Sequence, residues 1–497
     1  MNLTTDPWVP VLRADGRSEL LSLRQLFAQA HEMRDLVAKP HERIALMRLL
    51  VCITQAALDG PADEDAWAEC RDEIQSRVAA YLEKWAAAFE LFGDGPRFLQ
   101  FRPGMIGEPS PCMENEAVTR LDLTLASGES TPTLFDNAAA GSTRALAPHS
   151  AALNLLTYQC YSPLLGRGYK GRAPCADASA LHSLLLGKDL LESIRANLLS
   201  HEIIRDCYGA EKIGKPVWEL SILPVTDASR TLITSSYLGR LVPVSRSVWL
   251  DSLETMTLAN GFVYEGFDKV GFREATTTLV RKGTDQLRVL RCNVERAVWR
   301  EFPAIFLVAR GHSSEHANAG GPLALRLSRI DENLSLWCGG MNFPKEQAKI
   351  EDSIESKYAL CVDLFDPFKR AAYESGVNHA ETGETSLRRA VGSYASSLKV
   401  DQPAYDAARR HFWTRVEQSL EHLFAVAREL TPPDQLAASP WSRAVRAAAI
   451  EAFERTCPRR TPRQIQAFAL GQRHLFAPPR TGSASASKTK SRKQHSS

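Results

Sequence analysis

Four short segments of this 497-residue chain hold residue types that could do chemistry. Gly166-Arg-Gly-Tyr-Lys-Gly-Arg172 sets three glycines among Arg167, Lys170 and Arg172. Glycines allow close backbone approach, the basic side chains attract phosphate, and Tyr169 can stack or hydrogen-bond. By composition the segment is either a nucleic-acid contact or a basic surface turn. It is not a P-loop, because Arg172 stands where that pattern needs a lysine after its last glycine. Gly339-Gly-Met-Asn-Phe-Pro-Lys-Glu-Gln-Ala348 follows an apolar strand, and its spacing reads as a strand-to-helix connection. Thr131-Pro-Thr-Leu-Phe-Asp-Asn137 reads as a proline turn with Phe135 plugging a core. His312-Ser-Ser-Glu-His316 fits the HxxEH zinc-peptidase pattern, whose chemistry needs both histidines on one helical face and a third ligand. Turn formers flank it on both sides, so a solvated loop is expected, with a metal-dependent hydrolase as the alternative. Metal analysis of purified protein separates those two. No paired carboxylates, nucleophile elbow or helicase motif accompanies these segments.

The composition is that of an ordinary globular chain, 44% hydrophobic and 24% charged, long enough for two or three domains. No apolar run approaches the roughly 18 residues a membrane span needs. A net charge of +2 means that any phosphate-binding surface must be a local cluster. The ten cysteines are scattered without a CxxC pair, which fits a reducing cytoplasm and argues against disulfides and structural zinc. The opening lacks a charged n-region and an apolar h-region, so no secretory signal is expected.

The elements that must position the four segments are legible in outline. Trp8 to Leu12, the Asp15-Gly16 turn and Leu20 to Phe27 read as strand, turn, strand and helix. His41 to Leu58 is apolar nearly all round and reads as a buried helix; Ala66 to Phe92 reads as one or two amphipathic helices. From Phe98 to Ser142 the chain reads as irregular. Helical pattern returns over Ala147 to Tyr158 and Ser179 to Leu199. Thr276 to Arg291 reads as a hairpin, followed by strands at Ile305 to Val308, Leu323 to Leu327 and Leu334 to Trp337. Helical periodicity is expected over Glu351 to Tyr373, Ser386 to Leu398, Tyr405 to Leu430, Trp441 to Thr456 and Arg463 to Phe476. The expectation is an α+β protein: a mixed domain with antiparallel hairpins over 1–355 and a four-helix-type bundle over 356–477. A basic Ser-, Lys- and Arg-rich tail over 478–497 is expected to be disordered.

Several blocks resemble, in order, a known family: the large subunit, CasA, of the type I-E CRISPR Cascade surveillance complex. The Met-Asn-Leu start and the Asp6-x-Trp8-x-Pro10-Val11 strand match its opening. Leu49-Leu-Val-Cys-Ile-Thr-Gln55 resembles a family helix, and Pro96-Arg-Phe-Leu-Gln100 its Pro-Phe-x-Gln segment. Gly214-Lys-Pro-Val-Trp218 and Arg409-Arg-His-Phe-Trp413 match further blocks, so the resemblance covers most of the chain up to about residue 415.

The resemblance implies a non-enzymatic, cofactor-free subunit of a cytoplasmic ribonucleoprotein serving antiviral defence. The implied partners are CRISPR RNA (crRNA), target double-stranded DNA and a helicase-nuclease recruited after binding. The other Cascade subunits, namely the backbone, small-subunit and handle-binding proteins, complete the set. Gly166, Gly168, Tyr169 and Lys170 are implied as minor-groove contacts to the protospacer-adjacent motif (PAM). Lys345, Gln347 and Ala348 are implied at a Gly-Gly-led β-hairpin, with Gln347 wedging the duplex open to start the R-loop. Phe135, Asp136 and Asn137 are implied as contacts to the 5′ handle of the crRNA, where unpaired bases are read by stacking. Glu346 stands where the family uses asparagine, and its charge repels phosphate. No PAM-reading lysine has a match over Ser252 to Asn260. Alternatives outside this reading are the hydrolase and a purely structural scaffold subunit.

Overall fold

The computed structural model describes residues 1–108, 110–125, 144–162, 173–209, 212–220, 225–282, 286–308, 320–327, 329–330, 333–343, 350 and 352–476. The chain divides into two compact units, Met1–Phe365 and Asp366–Ser497.

The start of the first unit follows its local pattern. Strands β1 (Val9–Arg13) and β2 (Ser18–Leu21) pair antiparallel, with Val9 opposite Leu21. Gly16 turns between them at a φ of 86°, a conformation without penalty only for glycine. Ser22 then caps the Leu23–Gln29 helix: its hydroxyl accepts from the Gln25 amide, and the Gln25 side chain accepts from the Ser22 amide. Strand β3 (Met33–Leu36) completes the sheet in the order β2-β1-β3. The Pro40–Leu58 helix is buried on every face from His41 to Gln55, as its all-round apolar pattern requires.

Further along come β4 (Cys112–Ala117), β5 (His182–Leu186), β6 (Arg246–Leu250), β7 (Thr255–Asn260), β8 (Leu279–Lys282), β9 (Gln286–Val289), β10 (Ser335–Asn342) and β11 (Asp352–Ala359). All pairings are antiparallel: β4-β7-β6, β11-β10-β5 and the β8-β9 hairpin. Small antiparallel sheets beside helices make this an α+β unit.

Several expectations are corrected here. Ser179 to Leu199 is not one helix: His182 to Leu186 form β5, wholly buried, before a Leu190–Ala196 helix. A short apolar run has no period with which to tell a buried strand from a helix. Phe98 to Ser142 is not irregular throughout, since it holds β4; β6 and β7 are further strands that the sequence reading lacked. Ile305 to Val308 and Leu323 to Leu327 are not strands. Phe302–Ile305 is a turn of helix and Leu323–Arg326 a 3-10 turn. Residues 339–348 do not lead into a helix. Gly339 and Gly340 lie within β10, and β11 replaces the first part of the expected Glu351 to Tyr373 helix. β11 alternates half-buried Ile354, Ser356 and Tyr358 with exposed charged and polar residues, a period of two. Its pairing with β10 carries the first unit on to Phe365, past residue 355.

The second unit is helical. Asp366 caps the Pro367–Leu398 helix by accepting from the amides of Phe368 and Lys369. The Tyr405–Glu417 and Leu420–Arg428 helices form one leg broken at Gln418–Ser419, and the Pro440–Thr456 and Pro462–Phe476 helices make two more. Tyr373, Phe412, Leu423, Trp441 and Phe453 fill the bundle core, and the Trp441 indole donates to Gly376 O at 2.8 Å. Among the described residues no helix is long and apolar enough to cross a membrane.

Candidate nucleic-acid interface

Phe135, Asp136 and Asn137 lie outside the described residues, as do Gly166, Gly168, Tyr169 and Lys170, and Lys345, Gln347 and Ala348. The stems that carry them are described, and they meet. Segment 163–172 leaves the end of the Pro148–Tyr161 helix at Ser162 and returns at Ala173, whose amide donates to Ser162 O at 3.4 Å. Segment 344–349 leaves after β10 and returns before β11, strands paired to their ends with Asn342 opposite Asp352. The Tyr161 and Phe343 rings stack at 6.2 Å, which joins these two stems. The Phe343 amide also donates to the Ser179 hydroxyl at 3.3 Å. Segment 126–143 leaves just after Leu123, whose carbonyl accepts from the Ile350 amide at 3.0 Å. Three segments far apart in sequence therefore spring from one region of the first unit.

Local chemistry explains why the stems are firm. Gly340 is held where β10 passes the 173–180 segment: a Cβ there would sit 2.8 Å from Ala180 O, so only glycine allows the approach. His312 and His316 also lie outside the described residues; beyond their segment Gly320 exchanges backbone hydrogen bonds of 2.9 Å with Leu279 on β8. Among the described residues no cluster of His, Cys, Asp and Glu is placed to hold a metal ion.

Beneath the stems lies a buried charged network. Arg48, 2% exposed, donates from Nε to Leu241 O at 3.0 Å and from Nη2 to Arg240 O and Glu274 Oε2. The other Glu274 oxygen accepts from Arg240 Nε at 2.8 Å, and the Arg240 guanidinium rests 4.8 Å from the Phe272 ring centroid. Burial works against the Glu274 charge, but Arg240 and Arg48 outweigh it and hold the carboxyl below its usual value. The thiols of Cys160 and Cys175 are buried beside Arg48. Hydrogen bonding to Cys175, against burial and helped by Arg48, holds the Cys160 thiol down, while burial pushes the Cys175 thiol up. Burial, reinforced by Arg48, pushes the His182 imidazole down to about 3, so it is neutral at physiological pH. All ten cysteines are free thiols.

The family model for the CRISPR-associated protein Cse1 matches residues 2–452. The chain belongs to the Cse1 family. It is 27% identical over 513 aligned residues to the CRISPR-associated protein CasA/Cse1 of Thermus thermophilus, covering 96% of this chain and 94% of that one. The crystal structure of Thermus thermophilus CasA superposes with a TM-score of 0.72 at 21% identity, over 96% of this chain and 98% of that one. A chain of a CRISPR RNA-guided surveillance complex gives a TM-score of 0.73 at 18% identity, over 96% and 99% respectively.

The Cse1-like sequence blocks turn out to be fold-holding residues. Gln55 accepts from the Leu199 amide and donates to the Leu199 carbonyl, holding one distant residue by both of its backbone groups. Gln100 likewise donates to Leu91 O and accepts from the Leu250 amide. Trp218 donates to the Tyr81 hydroxyl at 2.8 Å and packs on Phe89. In the bundle, Arg409 and Trp413 both reach Glu384, and His411 meets Glu451 at 3.1 Å. Buried polar side chains satisfied by remote backbone specify one packing, since each would be costly unpaired. Sequence reasoning missed the Arg48–Glu274–Arg240 network. Its one signal was an arginine inside the apolar His41 to Leu58 run.

Proposed function

We propose that this chain is the non-catalytic large subunit of a type I-E CRISPR RNA-guided DNA surveillance complex. The observation that carries the reading is the meeting of the 126–143, 163–172 and 344–349 stems on one unit of a Cse1-family fold. In this reading Phe135, Asp136 and Asn137 hold the 5′ handle of the crRNA. Gly166, Gly168, Tyr169 and Lys170 enter the minor groove at the PAM together with Lys345 and Ala348. Gln347 separates the first base pairs, after which guide RNA pairs with the target strand. Protein then reads only a short motif and base pairing reads the rest, the general logic of RNA-guided recognition. Minor-groove readout is degenerate, so several related PAMs are tolerated. The other Cascade subunits complete the particle in the cytoplasm, and a separate helicase-nuclease recruited to this subunit destroys the target.

Substitutions in the glycine segment test the reading. Lys170→Ala lowers the affinity of the assembled complex for target duplex and shallows its salt dependence by about one unit of slope, the loss of one phosphate contact. Gly168→Asp weakens binding further by aiming a carboxylate at phosphate. Filter binding across a salt series measures both, and wild-type affinity and slope in the two variants would remove this segment from the interface.

A further inference from the structure

Trp249 stands on β6 between Val248 and Leu250, which are fully buried; it is only partly buried, and its indole takes two cations. The Arg97 guanidinium carbon lies 3.8 Å from the ring centroid and that of Arg102 lies 4.2 Å from it. The backbone fixes both. Arg97 donates from Nε to Gly93 O and from Nη1 to Leu250 O, each at 2.8 Å. The Ser247 hydroxyl donates to the carbonyls of Phe101 and Arg102, and the Phe101 amide donates to Val248 O. No carboxylate among the described residues lies within 4 Å of either guanidinium, in contrast with the paired arginines elsewhere in this unit. Burial, together with the charge of Arg102, presses the Arg97 pKa down, against the weaker pull of Asp94 and Asp251. Arg102 is exposed, so its planar face and N–H donors are open to solvent.

We propose that Arg102, held against the Trp249 indole that Arg97 covers from its other face, forms a docking point for single-stranded RNA, one base stacking on the exposed Arg102 guanidinium plane and a phosphate accepting from its N–H donors. Unpaired RNA is the partner that uses both features, because its bases are free to stack on arginine planes and aromatic rings. A duplex keeps its base faces stacked inside and leaves the planar surface unused. The position agrees: the Arg97 acceptor Leu250 ends β6, and in the turn that follows Leu253 O accepts from the Leu146 amide at 3.0 Å, just beyond the 126–143 segment. The inference therefore rests on the proposed function, which assigns that segment to the crRNA handle, and adds a second contact to the same RNA. Arg97 lies within the Pro96-Arg-Phe-Leu-Gln100 block, beside residues that hold the fold.

Fluorescence anisotropy of the full-length chain with a labelled single-stranded RNA, starting from low salt, tests this. Arg102→Ala weakens binding about 5- to 10-fold and shallows the salt slope by about 0.7, one single-strand phosphate contact. Trp249→Leu weakens it by at least about 5-fold, because the base loses the Arg102 plane that the indole holds in place. Arg102→Lys keeps the charge and the slope but recovers only part of the affinity, because an ammonium lacks the planar fork. The exposed Arg102 variants keep the wild-type thermal midpoint. Wild-type RNA binding by all three variants, or failure of the unaltered chain to bind RNA at low salt, overturns the inference and leaves the proposed function to its own test in the assembled complex. Loss of binding to a labelled polyglutamate peptide, with RNA binding unchanged, also overturns it and marks the surface as a site for an acidic protein.

Discussion

Glu274→Ala is expected to destabilise the first unit by about 3–5 kcal/mol, the usual result of removing one partner from a buried ion pair. Two guanidiniums, those of Arg48 and Arg240, would be left facing each other out of water, and Arg48 has no other counter-charge at hydrogen-bonding distance among the described residues. A loss of that size is a large part of the total stability of a typical domain. Chemical denaturation followed by tryptophan fluorescence measures it as a lower midpoint. Glu274→Gln should fall between wild type and alanine, since it keeps one acceptor but turns an amide NH2 toward an arginine. The same network sets an acid limit. The folded Glu274 carboxyl titrates below its unfolded value of 4.5, so its contribution is fully present above that pH and is lost as pH falls through the lower folded value. The wild-type midpoint should therefore drop, as pH falls below 4.5, by more than that of Glu274→Gln. Equal acid sensitivity in the two proteins would show that other carboxylates dominate.

Gln347→Ala should produce the largest functional effect. A wedge holds apart the first base pair beside the PAM, which otherwise re-forms. Unstacking a step costs on the order of a few kcal/mol, part of which an inserted side chain offsets. R-loop formation on fully paired DNA is therefore slowed at least about tenfold or abolished in this variant. On DNA with mismatched, pre-opened pairs beside the PAM it recovers to near the wild-type rate, because the opening is already done. Glu346→Ala is neutral or mildly favourable, since it removes a negative charge near the backbone. Equal impairment of Gln347→Ala on closed and pre-opened DNA would signal a docking or folding defect and end the wedge assignment.

The sequence was most legible where one period ran long or turn formers bounded a hairpin. The Pro40–Leu58 helix, the Thr276 to Arg291 hairpin and the Pro440–Thr456 and Pro462–Phe476 helices all follow directly from their residues. Legibility failed where pairing across the chain decides the state. His182 to Leu186 becomes a strand because β10 lies beside it. Asp352 to Ala359 becomes a strand because β10 pairs along its whole length, although its charged residues suit a helix equally well. The site was legible only as separate segments. Nothing local to Phe343 announces that its ring meets Tyr161, nor does Leu123 announce that it holds Ile350. Arg97, Trp249 and Arg102 escaped for the same reason, since their meeting depends on a β6 strand that the sequence pattern did not disclose.

On the proposed function, this chain gives a guide-RNA particle its PAM-dependent entry into duplex DNA. Adding the purified chain back to a crRNA ribonucleoprotein that lacks only this subunit tests it most directly, with R-loop formation read by permanganate footprinting of the displaced strand. Strand opening is expected on a guide-matched duplex only when both the chain and a PAM are present. Opening at the same rate without the chain, or with the chain but regardless of the PAM, would contradict it.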